Sequence, residues 1–334
     1  MSELRYHPFL DQWVITATHR QDRTFLPPAD YCPLCPTKPG GFPTEVPFEN
    51  YDIVVFENKF PSLSMQAPEP SVQGNWLTPV RPSVGLCEVI VYTQDHNSTF
   101  ANLSFNQVRK LTRVWQERYV ELSEREAVEY VFIFENKGKE IGVTLSHPHG
   151  QIYAYPYIPP TMEISLAAER AHFEKTGRPL MQDVLAQEGI GVEEFEYEHH
   201  ESHIVWQNDT FIAFVPFFAR YPYEVWVTPK RHIASLKQMT ERELDELGEA
   251  LLAVTRKYDK LFGFSMPYIM AMYQEPAMPG YHFNWFHVEF YPPYRTANKL
   301  KYLAGSEAAA GAFINDTLPE VTSKTLRELE FEPI

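Results

Sequence analysis

The chain is poor in cysteine and has no long apolar run. Its 334 residues include only three cysteines, an odd and small number that argues against a disulfide framework and favours the cytosol. No run reaches the roughly 18 apolar residues of a membrane-spanning helix. The first ten residues lack the basic-then-apolar pattern of a signal peptide. We therefore expect a cytoplasmic protein without a membrane segment.

Positive charge is scarce as well. Lysine and arginine total 29 against 44 acidic residues, which leaves a formal net charge of −15. Because such a chain repels phosphate backbones, nucleic acid is not an expected partner. An anionic substrate would need cationic side chains placed locally against the overall field.

The chain reads as two copies of one unit. In each copy an apolar strand is followed by a histidine and then by the N-cap of an amphipathic helix. Two more strands and a Gly-containing loop complete each copy. The matching features lie at a constant offset of 136 residues: strands 88–92 and 224–228, His96 and His232, and the caps Ser104 and Thr240. This constancy favours an internal duplication over chance similarity.

The order of these elements indicates an α+β fold. Strands joined by long loops and only a few helices favour antiparallel sheets with helices packed on one face. We expect each half to supply one sheet, with the first half at 1–165 and the second at 166–334.

The starts of the two long helices are also marked. Thr240 with Glu243 forms a capping box, and Ser104 with Gln107 has the same form.

The segment 146–151, Ser-His-Pro-His-Gly-Gln, is the most informative of the chain. In an extended backbone His147, His149 and Gln151 point to the same face. Pro148 excludes the interior of a helix. Gly150 is expected to let a ligand approach the backbone closely. A rigid strand that carries two imidazoles and an amide side by side predicts a chemical site.

Cys32 and Cys35 form a C-x2-C pair, the spacing that places two thiolates on one metal ion. A thioredoxin-like redox motif is the alternative, but it should precede a helix, and proline and glycine follow here. His96 and His147 are candidates for the remaining two ligands. Their spacing is not that of a zinc finger, so the pattern alone leaves the ligand set open.

Several motifs together resemble galactose-1-phosphate uridylyltransferases, the transferase branch of the histidine-triad superfamily. The resemblance covers about residues 5–315. It implies an internally duplicated histidine-triad-like fold and a homodimer with active sites shared across the interface. The motifs are Tyr-His-Pro-Phe-Leu-Asp-Gln-Trp at 6–13, Cys-Pro-Leu-Cys at 32–35, Phe-Glu-Asn-Lys-Gly at 134–138, His-Pro-His-Gly-Gln-Ile at 147–152 and Phe-Tyr-Pro-Pro at 290–293.

The resemblance also implies a reaction. His149 would attack the α-phosphorus of UDP-glucose, expel glucose 1-phosphate and leave a covalent uridylyl-histidine. Galactose 1-phosphate would then take the uridylyl group to give UDP-galactose, a ping-pong step of galactose metabolism in the Leloir pathway. Gln151, an uncharged amide, would hydrogen-bond a phosphoryl oxygen and favour transfer over hydrolysis. The first half would thus hold the chemistry, and the second half would be structural and contact substrate.

The remaining site residues follow from the same resemblance. One structural zinc ion per chain would be held by Cys32, Cys35, His96 and His147. Substrate contacts would come from Arg20 and Arg23 at the phosphates, from Asn136, Gly142 and Thr144 beside the diphosphate, from Asn58 and Phe60 at the nucleoside, and from Lys301 and Glu307 at the sugar.

Some positions depart from the family pattern. Lys59 and Ser306 keep another nucleotidyl transfer open, by an ADP-sugar adenylyltransferase or a dinucleoside polyphosphate phosphorylase. A non-catalytic nucleotide sensor or zinc scaffold is a third reading. At a second, iron-type metal site, Tyr273 and Glu289 stand where histidines are expected. We therefore expect no metal there and a hydrogen-bonded buried His287.

Overall fold

The computed structural model describes residues 2–24, 31–188 and 202–332, which form fourteen strands and five α-helices. The strands are β1 (Ser2–His7), β2 (Gln12–Ala17), β3 (Val54–Glu57), β4 (Val80–Pro82), β5 (Leu86–Val91), β6 (Tyr130–Lys137), β7 (His149–Tyr155), β8 (Ile204–Gln207), β9 (Phe211–Phe214), β10 (Val225–Pro229), β11 (Tyr268–Tyr273), β12 (His287–Tyr291), β13 (Tyr294–Thr296) and β14 (Lys299–Leu300). The helices are α1 (Phe105–Ser123), α2 (Pro160–Thr176), α3 (Leu180–Gln187), α4 (Glu241–Leu261) and α5 (Pro319–Glu328). Short helical turns lie at Thr18–Thr24, Phe100–Asn102, Lys139–Ile141, Leu236–Gln238 and Gly305–Ala309.

A nine-stranded antiparallel sheet forms the centre of the molecule, in the order β3-β5-β7-β6-β11-β12-β10-β9-β8. The order is symmetric about the β6–β11 junction, with β7 matching β12 and β5 matching β10. The predicted α+β fold and its duplication are therefore confirmed. The expectation of one sheet per half was wrong, because β6 and β11 hydrogen-bond to each other and join the two halves. Their pairing satisfies backbone groups that two open edges would expose.

The two long helices begin where the sequence predicts. The Ser104 side chain accepts a hydrogen bond from the Gln107 backbone N–H, and Thr240 and Glu243 form the reciprocal capping box. The Ser104 box is only half formed. The Gln107 amide instead donates to the carbonyls of Asp52 and Tyr92, which ties α1 to the chain at the end of β5.

The main core lies between one face of the sheet and the helices α1 and α4, which also pack on each other. Its largest fully buried side chains include Trp115 of α1 and Tyr258 of α4. The opposite face is covered over the second half by α2 and α3, whose side chains join the clusters of Met162 and Met181. The prediction of helices on one face thus holds for the two long helices and did not include α2 and α3.

In the first half, loops cover this second face. The small sheet β2-β1-β4 packs through Leu4 onto Cys87 and Tyr153, and the segment 31–53 packs through Leu34 onto Val89 and Val91. Both patches flank β7 on the side to which His149 points. Among the described residues, no helix combines the length and apolar character needed to cross a membrane.

The α4 cap generates a stability prediction. The Glu243 carboxylate accepts from Arg231 Nη2 at 2.8 Å and from the Thr240 backbone N–H at 2.8 Å. The hydrogen bond from Arg231 is the main cause that lowers the Glu243 pKa to about 2. We expect Glu243→Ala to lower the free energy of unfolding at pH 7 by about 1–3 kcal/mol.

The pH dependence has a definite sign. Because the pKa of Glu243 is depressed on folding, its contribution is complete above the unfolded value near 4.5 and is lost as the pH falls towards 2. Urea unfolding of both proteins from pH 7 to pH 2.5 should show their difference shrinking. Glu241→Ala, in the same helical turn with a 75% exposed side chain, should change stability by less than about 0.5 kcal/mol. A gap that widens on acidification would contradict the assignment.

Candidate active site

The strand β7 separates its side chains between two environments. Ile152 and Ala154 point into the core under α1 and α4, together with the Gly150 position. His149 and Gln151 point to the opposite face. The strand is held on both sides, since His149 pairs with Val91 of β5 and Gln151 pairs with Phe134 of β6. A rigid, doubly paired strand therefore presents the imidazole and the amide.

One hydrogen bond sets the state of His149. Its Nδ1 lies 2.7 Å from the carbonyl oxygen of His147. Because a carbonyl only accepts, Nδ1 carries the proton, and Nε2 of the neutral ring keeps a free electron pair. Burial lowers the pKa of His149, and the bond to His147 opposes this only in part. The side chain is thus a neutral imidazole with Nε2 as its nucleophilic atom.

Gln151 lies two residues further along the same face. Its side chain is buried, and its Oε1 has no hydrogen-bond partner among the described residues. An unsatisfied buried amide next to a nucleophile is a group for a ligand to bind, because a buried polar atom without a partner costs free energy.

Four side chains converge beside this strand in the arrangement of a metal site. The ligand atoms of Cys32, Cys35, His96 and His147 all lie within 4.8 Å of one another. His147 Nδ1 is 3.5 Å from Cys35 Sγ and 3.7 Å from Cys32 Sγ, and His96 Nδ1 is 3.5 Å from Cys35 Sγ. Ideal tetrahedral bonds to one zinc ion would put sulfur and nitrogen about 3.6 Å apart. The donor set fits a closed four-coordinate site.

His147 is oriented for this site by its other ring nitrogen. Nε2 lies 2.7 Å from the Thr93 carbonyl oxygen and 3.2 Å from the Tyr51 hydroxyl. Nε2 therefore carries the proton, and Nδ1 is left to bind a metal. Tyr51 in turn donates to the Leu34 carbonyl oxygen at 2.9 Å, inside the C-x2-C turn. Sequence reasoning missed Tyr51 and Thr93, because nothing in their local pattern marks an outer-shell role.

The C-x2-C segment is a turn, closed by a 3.3 Å hydrogen bond from the Cys35 N–H to the Cys32 carbonyl oxygen. A bridge between Pro36 and Val46 follows, rather than a helix. The thioredoxin-like alternative is therefore excluded for this segment. All three cysteines are free thiols.

Two adjoining cavities open at the end of β6 and β7. A small one of about 40 Å³ reaches the His147–His149 backbone and is lined by Glu135 and Asn136. A larger one of about 430 Å³ is lined by Lys137, Lys139 and Thr144. Gly142 lies in the loop between these lysines and Thr144, at a positive φ of 84°. Of the three residues expected beside the diphosphate, Asn136 thus lines the smaller cavity and Thr144 the larger, whereas Gly142 lines neither.

The arginine and nucleoside residues lie on the other side of β7. Arg20 is near Tyr153, where its charge opposes the rise that burial causes in the Tyr153 pKa. The side chain of Arg23 lies outside the described part of the structure. Asn58 follows the edge strand β3, where its Oδ1 accepts from the Phe60 N–H at 2.9 Å.

Comparisons with known proteins identify a family for this chain. Models of the galactose-1-phosphate uridyl transferase N-terminal and C-terminal domains match residues 1–159 and 167–332. The galactose-1-phosphate uridylyltransferase of Thermotoga maritima is 42% identical over 99% of this chain and 100% of its own length. That of Haemophilus influenzae is 30% identical over 97% and 93%. The chain belongs to the galactose-1-phosphate uridylyltransferase family.

Solved structures show the same fold. A uridylyltransferase structure, 32% identical, superposes with a TM-score of 0.85 over 97% of both chains. An ADP-glucose phosphorylase from Arabidopsis thaliana with bound ADP-glucose, 22% identical, superposes with a TM-score of 0.74 over 99% of this chain and 100% of its own. The second likeness concerns the fold alone.

The residues expected at the sugar do not line the cavities just described. Lys301 Nζ bonds Glu307 Oε1 at 3.2 Å and also contacts the Ile314 carbonyl oxygen. Both side chains are buried within the segment 301–316, and neither lines either cavity. Their role as substrate contacts in this member of the uridylyltransferase family stays a prediction.

The second half carries a blocked counterpart of His149. His287 Nδ1 bonds the Trp285 carbonyl oxygen at 3.0 Å, which repeats the bond between His149 and His147. His287 Nε2, however, lies 3.1 Å from Glu289 Oε1, and the ring is stacked between Trp226 and Tyr273. His287 is therefore the hydrogen-bonded buried histidine that the sequence predicts.

A cation already accompanies Glu289. Arg220 Nη2 is 3.1 Å from Glu289 Oε2 and 2.8 Å from the Tyr291 hydroxyl. Of the other carboxylates in this region, Glu169 accepts from Ser165 and Asn284, and Glu224 accepts from the Arg220 backbone N–H. Sequence reasoning missed Arg220, which nothing in its local sequence links to β12.

The expected role of Gly150 was wrong. A Cβ there would lie 2.2 Å from the Tyr92 hydroxyl oxygen, on the face opposite to His149. The glycine makes room for Tyr92 in the core and does not admit a ligand. The alternation of side chains along a strand determines that Gly150 faces the core. That Tyr92 is its neighbour there depends on the pairing of β5 with β7.

The metal cluster yields a prediction with an internal control. We expect Cys32→Ser to lose the bound metal ion and to lower the melting temperature, because a closed site needs all four ligands. Cys87→Ser removes the third cysteine, which is buried outside the cluster, and should keep one metal ion per chain. Elemental analysis and thermal unfolding measure both. Equal metal content in the two variants would exclude Cys32 as a ligand.

Proposed function

We propose that this chain transfers a uridylyl group from UDP-glucose to galactose 1-phosphate, in two steps through a covalent uridylyl-His149. The observation that carries the proposal is the free Nε2 of His149, which the bond from Nδ1 to the His147 carbonyl leaves unprotonated. Membership of the uridylyltransferase family supports the choice of substrates.

The two steps balance in bonds and charge. In the first, Nε2 attacks the α-phosphorus of UDP-glucose, a P–N bond forms, and the P–O bond to glucose 1-phosphate breaks. In the second, a phosphate oxygen of galactose 1-phosphate attacks the same phosphorus and the P–N bond breaks. One transfer between two weak nucleophiles becomes two easier transfers.

The neighbouring side chains have binding roles in this proposal. Gln151 hydrogen-bonds a nonbridging phosphoryl oxygen, and Asn136, Gly142 and Thr144 surround the diphosphate. Arg20 and Arg23 supply positive charge against the net charge of −15. Asn58 and Phe60 hold the nucleoside.

The metal in this proposal is a structural zinc ion. The four ligands Cys32, Cys35, His96 and His147 leave no coordination position for substrate, which is the arrangement of structural sites. When bound, zinc cross-links the C-x2-C turn to the start of β7. These four residues then hold His147, so that its carbonyl oxygen stays in position to accept from His149 Nδ1.

Three wider expectations belong to the same proposal. The chain forms a homodimer, lies in the cytosol and divides into a first half at 1–165 and a second at 166–334. The dimer rests on the resemblance to the family, and sedimentation velocity measures it directly.

The test of the function is the intact mass of the protein after mixing with UDP-glucose and no acceptor. We expect a gain of one uridylyl group in the wild type and none in His149→Gly. Galactose 1-phosphate, but not inorganic phosphate, should discharge the adduct. The exposed His282 provides a control, since His282→Gly should still be uridylylated.

Two outcomes would redirect the assignment. An adduct with an adenine nucleotide sugar but not with UDP-glucose would indicate an adenylyl transferase. No adduct with either would contradict the nucleophile assignment and leave the non-catalytic alternative.

Gln151 gives a second prediction. Gln151→Leu keeps the volume of the side chain and removes its hydrogen bonds, so the uridylylation rate at saturating UDP-glucose should fall about 10²–10³-fold. Rapid-quench kinetics measures it. Gln116→Leu, which changes a glutamine of α1 that bonds the loop at 236–239, should leave the rate within about twofold. An unchanged rate in Gln151→Leu would remove Gln151 from the reaction.

A further inference from the structure

Gly150 has a neighbour that explains why it is glycine. Its φ is not among the positive values of the chain, so backbone conformation does not require glycine there. A Cβ would lie 2.2 Å from the Tyr92 hydroxyl oxygen, 3.0 Å from Tyr92 Cζ and 3.2 Å from the Phe134 carbonyl oxygen. Real Cβ atoms essentially never approach another atom within 3.0 Å, so the contact with the Tyr92 oxygen alone excludes a side chain there. The space beneath Gly150 is occupied by the end of the Tyr92 side chain.

Tyr92 shares this space with Glu135. Glu135 of β6 follows Phe134, which pairs with Gln151, and so comes beside Gly150 on the core face. Its carboxylate is 3% exposed, and Oε1 accepts from the Tyr268 hydroxyl at 3.2 Å. Burial and the neighbouring Glu135 charge raise the pKa of Tyr92, so the two groups interact, yet neither Glu135 Oε2 nor the Tyr92 hydroxyl makes a hydrogen bond of ordinary geometry within the described residues. Two strong polar groups therefore lie buried against the strand that carries the nucleophile.

The cluster is continuous with the active-site backbone. Glu135 lines the cavity of about 40 Å³ together with Pro148 and His149. A cavity of that size has room for a water molecule, and its polar walls suit one. Burial raises the pKa of Glu135 to about 7, although the charge of Lys137 opposes the rise. A buried carboxyl group is costly in an apolar core, so a purely structural position would favour a hydrocarbon side chain.

We propose that Tyr92 and Glu135 are positioning residues for the nucleophile. Together they form a polar cluster against Gly150 that fixes the position of the β7 backbone. In that position His149 Nδ1 bonds the His147 carbonyl oxygen and Nε2 faces the substrate phosphorus. Directional hydrogen-bonding groups, directly or through water, fix a backbone more narrowly than aliphatic packing does. The inference rests on the proposed function, because it assigns this polar cluster to uridylyl transfer.

The test first introduces a steric clash between a methyl group at position 150 and the Tyr92 oxygen and then removes that oxygen. In Gly150→Ala the new methyl group meets the Tyr92 oxygen, so we expect uridylylation at saturating UDP-glucose to slow about 100-fold, the effect of a shift near 1 Å. Tyr92→Phe alone should slow it about fivefold, by loss of one polar group. The double variant should recover at least tenfold over Gly150→Ala, because the oxygen that clashes is gone.

Glu135 is tested by a conservative and a non-conservative change. Glu135→Gln keeps a hydrogen-bonding side chain of the same size and should retain most of the rate, whereas Glu135→Leu should slow it about tenfold or more. Tyr130→Phe removes another fully buried hydroxyl from the same strand and should leave the rate unchanged. UDP-glucose affinity, measured in the His149→Gly background, should be equal with and without each change.

Several outcomes would overturn the inference. These are a normal rate in Gly150→Ala, no recovery in the double variant, or a loss confined to UDP-glucose affinity. A readout independent of activity separates it from the proposed function: nitrogen NMR should show His149 protonated at Nδ1 in the wild type and mixed tautomers in Gly150→Ala. If the wild type forms no uridylyl adduct while the tautomers still change, the proposed function fails and the positioning role stands. Unchanged tautomers would refute the positioning role.

Discussion

The candidate active site depends on the hydrogen bond from His149 Nδ1 to the His147 carbonyl oxygen. That bond assigns the proton of one imidazole and leaves the other nitrogen as a nucleophile. The acceptor belongs to a residue whose own side chain faces Cys32 and Cys35 and whose Nε2 is held by the Thr93 carbonyl. The Cys32, Cys35, His96 and His147 cluster and the His149 ring thus lie at two ends of one short segment. In the proposed reaction, rigidity at the cluster is passed to Nε2 of His149 through two peptide units.

The duplicated fold places two histidines in equivalent positions but in different surroundings. His287 repeats the bond from Nδ1 to a carbonyl two residues earlier, so the same tautomer is imposed in both halves. The difference lies at Nε2, which faces Glu289 in the second half and is enclosed by aromatic rings. The strand geometry fixes the tautomer in both halves, because it places a backbone carbonyl at Nδ1. Reactivity depends instead on the side chains that face Nε2. The second half therefore stabilises the first through the continuous sheet, while its own histidine is not available to react in place of His149.

Local patterns predicted the parts of the fold that local physics determines. Thr240 and Glu243 cap α4 as expected, because a capping box needs only residues three apart. Gln107 departed from the same pattern, since carbonyls of Asp52 and Tyr92, distant in sequence, compete for its amide. The joining of β6 to β11 was missed for a similar reason. Strand patterns specify which face is buried and not which edge meets which.

In the candidate site, too, motifs predicted some residues, and contacts between distant segments decided others. The four metal ligands could be named because the motifs resemble a known family, and the structure brings them together although they span residues 32–147. The ring orientation of His147 depends on Tyr51 and Thr93, which no spacing rule connects to it. Gly150 was misread because the constraint on it comes from Tyr92 across the sheet. Long-range packing, rather than motif chemistry, decides these positions.

The most direct measurement of the central claim is the identity of the ring nitrogen that carries the nucleotide. The uridylylated protein, labelled with nitrogen-15 in its histidines, should show phosphorus–nitrogen coupling to Nε2 of His149, with Nδ1 still protonated. A nucleotide on Nδ1, or on a histidine other than His149, would contradict the account, because the His147 carbonyl would then not have selected the nucleophilic atom.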